Sequence, residues 1–134
     1  MLVNPIFGDN LTKRARGEIA FEEVLEKVSD AAKNALGLLG ISLVRENVSA
    51  NGQRVIEIWG RRGISSWSWG ELVSIKISGN EHGGSLVEAM SECIWPTQLF
   101  DYGRNRKNLE ALFSALRMQL RSIGPVHLEE KRLG

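Results

Sequence analysis

The stretch that decides the fold is ISLVRENVSANGQRVIEIW, Ile41 to Trp59. A run rich in β-branched residues, Ile41–Val48, and a further apolar run, Arg54–Trp59, flank Asn51-Gly52. Asn and Gly both tolerate positive φ, which a tight turn between twisted antiparallel strands demands, so the stretch predicts a β-hairpin. Downstream, Arg61-Arg62-Gly63 begins a connection. Trp67, Trp69, Val73, Ile75 and Ile77 then alternate with Ser68, Gly70, Ser74, Lys76 and Ser78. That is the period of a strand with one apolar side, on which Glu71 is the one break. Residues 79–84 are a loop by composition. A further strand from Ser85 to about Ile94 places Val87, Ala89, Ser91 and Cys93 on one side and Leu86, Met90 and Ile94 on the other. Pro96 ends it, because proline cannot donate to a strand ladder.

On either side of this meander the period changes. Phe21, Val24, Leu25, Val28, Ala32, Ala35, Leu36 and Leu39 recur at helical steps. Acids crowd the start of that run, where the helix dipole favours them, and Gly40 stands where a terminal glycine is expected. A second stripe, Leu109, Leu112, Phe113, Leu116, Leu120 and Ile123, predicts another helix, stopped by Gly124-Pro125. Ahead of the first helix, residues 14–20 suit an edge strand weakened by Gly17. Residues 1–13 read as an irregular arm and residues 124–134 as a loose tail.

The order β-α-β-β-β-β-α predicts one α+β domain with its folded core in residues 14–123. Strands in a meander pair antiparallel, and each helix has a single stripe to bury. The expectation is a sheet of four to five strands with both helices packed on one face. This order resembles the TATA-binding-protein-like and helix-grip folds, a likeness that implies architecture and no activity. Opposite charge suits neighbouring helices. Glu18, Glu22, Glu23, Glu26 and Asp30 outnumber Lys27 and Lys33 on the first, whereas Arg104, Arg106, Lys107, Arg117 and Arg121 outnumber Asp101 and Glu110 on the second.

Composition bounds the function. Seventeen basic and sixteen acidic residues leave a formal charge of +1, which provides no global field for a polyanion. Nucleic acid is therefore disfavoured as a partner, and only Arg61-Arg62 meeting the Arg104–Lys107 cluster would favour it. One cysteine, Cys93, forms no intramolecular disulfide, and no apolar run is long enough to span a membrane. With no secretory pattern at Met1–Asn10, a cytoplasmic location is the default expectation.

No catalytic constellation, cofactor motif or metal-ligand spacing is present in the sequence. His82 and His127 lie far apart, and residues 79–84 lack the ending of a phosphate loop. Two features stand out. Trp67 and Trp69 fall on one side of a strand, about 7 Å apart. There they are core if that side is helix-covered, and a stacking or docking platform if it is open. Sharing a side with Val73, Ile75 and Ile77 favours core.

The second feature is Pro96-Thr97-Gln98-Leu99-Phe100-Asp101-Tyr102-Gly103-Arg104-Asn105-Arg106-Lys107-Asn108. It resembles a segment of a set of small, uncharacterised bacterial proteins with the pattern Thr-Gln-x-x-Asp-aromatic-Gly-basic-Asn-basic. The likeness runs from Glu88 to Leu116 and implies a bacterial, domain-level family without an activity. Physically the segment suits a capped turn, with Asp101 accepting helix amides, Gly103 bending and Phe100 or Tyr102 stapling the entry. The alternative is an anion site formed by helix amides with Arg104, Asn105, Arg106 and Lys107, which the adjoining Asp101 opposes.

The leading expectation is a non-enzymatic binding or interaction domain that self-associates through an exposed strand or sheet face. The alternatives are a carrier of a small apolar ligand or lipid between helices and curved sheet, and a weak nucleic-acid-binding module.

Overall fold

In the computed structural model the described residues are 12–49, 54–62, 70–80, 83–93 and 104–132. They form β1 (Thr12–Phe21), α1 (Leu25–Leu38), β2 (Ile41–Ser49), β3 (Val55–Arg62), β4 (Glu71–Gly79), β5 (Ser85–Cys93), α2 (Arg104–Gln119) and β6 (Ser122–Arg132). The strands make one six-stranded antiparallel sheet in the order β2-β3-β4-β5-β1-β6. The α+β class and the meander from β2 to β5 match the sequence expectation. The sheet is larger than the four to five strands expected.

The extra strand is β6, formed where a loose tail was expected at residues 124–134. Gly124 and Pro125 do end the helical pattern, but they do not end the structure. Gly124 adopts φ 72°, and Pro125 falls in the register shift between Ile123 and His127 on an outermost strand, a position where proline is tolerated. Beyond them Val126 and Leu128 pack against the core while His127 and Glu129 alternate to the other side. As a result β1 is an interior strand between β5 and β6, not the edge its glycine suggested. That glycine has a packing role: a Cβ at Gly17 would lie 2.5 Å from Phe113 Cε2 and 2.6 Å from Leu128 Cδ2. The missing side chain is what lets α2 settle onto β1.

Phe21 also differs from expectation. It ends β1, following Ala15 and Ile19 at strand period, and α1 begins only at Leu25. Val24 holds the N-cap position without a side-chain cap. The Glu23 carboxylate instead accepts the Arg121 backbone N–H at 3.0 Å, tying this turn to the start of β6. At the other end Gly40 adopts φ 73°, the left-handed conformation that suits a helix terminus.

Both helices cover the same sheet face. Val28, Ala32, Ala35 and Leu36 of α1, and Leu109, Leu112, Phe113 and Leu116 of α2, are buried against Ile19, Ile58, Val73, Ile75, Ile77 and Val87. The alanines on α1 have no bulk to hold the helix off the sheet. Asn34 Nδ2 donates to Gln119 Oε1 at 3.3 Å between the helices. Two charges of α1 pair with strand or loop residues instead: Glu26 with Arg54 at 2.7 Å, and Lys33 with Glu46 at 3.2 Å.

Candidate functional site

Trp67, Trp69, Asp101, Tyr102 and Gly103 lie outside the described residues, as do Trp95 and His82. Arg104 opens α2, with its side chain outside them too. The rest of the helix-start cluster divides. Arg106 and Lys107 are exposed, Arg106 lying 3.9 Å from Glu110. Asn105 is completely buried. The helical repeat puts Asn108 on the same side, and both amides meet the strands beneath. Ser91 Oγ donates to Asn105 Oδ1 at 2.8 Å, and Asn108 Nδ2 donates to Ser91 Oγ at 3.1 Å and to Glu71 Oε1 at 3.3 Å. Arg62 Nη1 in turn donates to Asn108 Oδ1 at 2.9 Å.

Glu71, the one break in the apolar alternation, is therefore a buried carboxylate in a hydrogen-bonded layer joining β3, β4, β5 and α2. Every described buried side-chain nitrogen and oxygen has a partner. The layer fixes the first turns of α2 on the sheet. It also separates the two arginines expected to act together, since Arg62 reaches α2 while Arg61, opposite Leu72, belongs to the other sheet face.

That other face is uncovered by the helices and carries a groove of about 770 Å³. Strand register builds it. One cross-strand row runs Glu57, Lys76, Glu88, Glu18, His127, and the next runs Trp59, Ser74, Met90, Arg16, Glu129. Neighbours in a row are about 4.8 Å apart at the backbone. Trp59 and Met90 are half-buried and give the groove its apolar floor, and the Arg45 guanidinium lies 5.3 Å from the Trp59 ring centroid. Around that floor stand four carboxylates, Glu18, Glu57, Glu88 and Glu129, with Arg16 and Lys76. Glu18 and Glu88 are directly opposed, an arrangement of like charge that weakens a sheet.

Alternation in the sequence separates the two sides of each strand, but these groove residues come from β1, β3, β4, β5 and β6. Their meeting depends on a pairing order that includes β6, so the sequence offered no sign of it. Among the described residues no group of three or more His, Cys, Asp or Glu side chains is placed to hold a metal ion, and no helix is long and apolar enough to cross a membrane.

Fold and groove together define a class: an α+β domain whose two helices cover one face of an antiparallel sheet and whose other face carries a groove. No protein-family model and no curated protein matches the chain. Among solved structures, it is similar to the adenosylmethionine decarboxylase from Aquifex aeolicus VF5, with a TM-score of 0.48 and 11% identity over 92% of each chain.

Proposed function

We propose that this chain is a binding domain that takes a small zwitterion with an apolar body on the open face of its sheet. The observation that carries this is the groove itself, with charges of both signs around Trp59 and Met90. Its volume falls within the range of small-molecule sites, roughly 300–1,000 Å³. A ligand ammonium relieves the opposition of Glu18 and Glu88, an anionic group meets Arg16 and Lys76, and the body rests against Trp59 and Met90.

A lipid carrier fits this geometry less well. Trp59 and Met90 line a concavity on the far side of the sheet from the helices, and charged groups ring it. An apolar chain lying there would desolvate those charges without pairing them. A nucleic-acid strand would meet more carboxylates than cations in the same groove.

Calorimetric titration with a panel of free amino acids and dipeptides tests the proposal. At least one member is expected to bind, and Trp59→Ala to weaken it at least about tenfold. A flat titration with every member at millimolar concentration would overturn it, as would unchanged affinity in both Trp59→Ala and Glu88→Gln.

A further inference from the structure

The two outer strands of the sheet differ in how they are guarded. Along β6, Gly124 and Pro125 interrupt the regular backbone, and its register with β1 shifts twice. Proline and irregularity of this kind keep a free edge from pairing with another chain. Along β2, residues 42–48 are all exposed, and Leu43, Val44 and Val48 keep 51%, 59% and 49% of their surface in solvent. The charges that would normally protect such an edge are drawn back onto their own chain. Arg45 lies over Trp59, and Glu46 is held by Lys33 at 3.2 Å. One β-bulge, between Leu43 and Arg45, limits the regular edge to its second half.

We propose that β2 pairs antiparallel with β2 of a second copy of this chain, about a two-fold axis at Glu46, so that two six-stranded sheets become one. Self-complementarity about that residue identifies the occupant. Arg45-Glu46-Asn47 places Arg45 opposite Asn47 of the second copy on both sides of the axis, and the bulge residue Val44 then falls beside its Val48. No cation meets a cation. The one like-charge contact, Glu46 with its own mate, has a Lys33 ammonium on each side. Formal charges within β2 cancel, so two copies approach without net repulsion along this edge. A closed, isologous contact is the form a two-fold dimer requires.

Sedimentation equilibrium over about 5–500 µM is expected to show a concentration-dependent dimer, since so short a ladder makes a small interface. Lysine at both Val44 and Val48 is expected to weaken it at least tenfold with the circular dichroism spectrum unchanged, while Ile123→Lys on the opposite edge leaves it intact. Antiparallel mates on the axis bring their Cα atoms to about 4.5–5.5 Å, within disulfide reach. Glu46→Cys is therefore expected to form a covalent dimer on mild oxidation, and Glu22→Cys is not. A monomer throughout the concentration range would overturn the proposal, as would a dimer indifferent to the paired lysines. Glu46→Cys crosslinking no better than Glu22→Cys would do the same.

Discussion

Ile58 and Trp59 are neighbours in β3, and the pleat sends them to opposite faces of one sheet. Ile58 is sealed beneath the helices, while Trp59 stands half-buried on the open side with Arg45 over its ring. The covered face is apolar almost throughout, and its buried polar members are hydrogen-bonded, Glu71 and Ser91 to α2 and Ser85 to the Glu23 carbonyl. The open face carries opposed charges and one like-charged pair. Burial alone selects the first set of residues. The second set places the like-charged Glu18 and Glu88 among opposite-charge neighbours, Lys76 with Glu57 and Glu88 and Arg16 with Glu129, a pattern that burial does not select.

The largest effect is expected at Ile58. Ile58→Ala leaves a cavity in close-packed surroundings and should cost about 2–5 kcal/mol of stability by urea denaturation. Trp59→Ala, one residue along, should cost clearly less than that, although it removes more atoms. Equal losses would show that the open face is covered in solution. Next comes the polar layer. Asn108→Ala withdraws one donor from buried Glu71 and one acceptor from Arg62, and should cost about 1–3 kcal/mol. A double-mutant cycle with Glu71→Gln should show coupling between the two positions. Additivity would mean that each is satisfied independently.

Gly17 tests the contact between β1 and α2. A methyl group there falls on the Phe113 ring and on Leu128, and the His127 carbonyl oxygen lies 3.0 Å away. The ring and backbone cannot both withdraw, so Gly17→Ala should destabilise by about 1–3 kcal/mol. In Gly17→Ala/Phe113→Leu part of that loss should return. An unchanged melting temperature in the single variant would place α2 farther from β1 than the structure does.

These positions also mark what could be read from the sequence. The α1 stripe, Gly40 at its end, and the alternation of Val73, Ile75 and Ile77 each depend on a local period, and each took its expected place. Phe21 and Val24 did not: Phe21 ends β1 and Val24 is exposed at the N-cap, because an apolar residue at a strand–helix junction fits both periods. β6 was missed because Gly124-Pro125 punctuates like a terminus, and only its pairing with β1 makes the charged stretch after it a strand. Asn105 stood inside a noticed motif among basic neighbours, yet its burial follows from Ser91 on β5, a contact no local pattern encodes. The groove was illegible for the same reason: Glu18 and Glu88 become neighbours only when β1 inserts between β5 and β6.

The smallest expected change in stability is at Glu88, and it separates a working surface from a merely polar one. Glu88 has Lys76 on one side and Glu18 on the other, so neutralising it removes both an attraction and a repulsion. Both groups are exposed on the open face, where solvent weakens each interaction, and the net effect of Glu88→Gln should lie within about 1 kcal/mol. Glu88→Gln in a Lys76→Gln background removes the attraction from the comparison. There the substitution should stabilise the fold by a few tenths of a kcal/mol, about 0.2–1 at most. The same substitution should weaken the zwitterion, because the ammonium loses one of the two carboxylates that face it. Gain of stability with loss of binding is the signature of a residue kept for a ligand. If the fold is stabilised and binding is untouched, Glu88 belongs to the solvated surface, and the ligand's cationic end must lie elsewhere along the row.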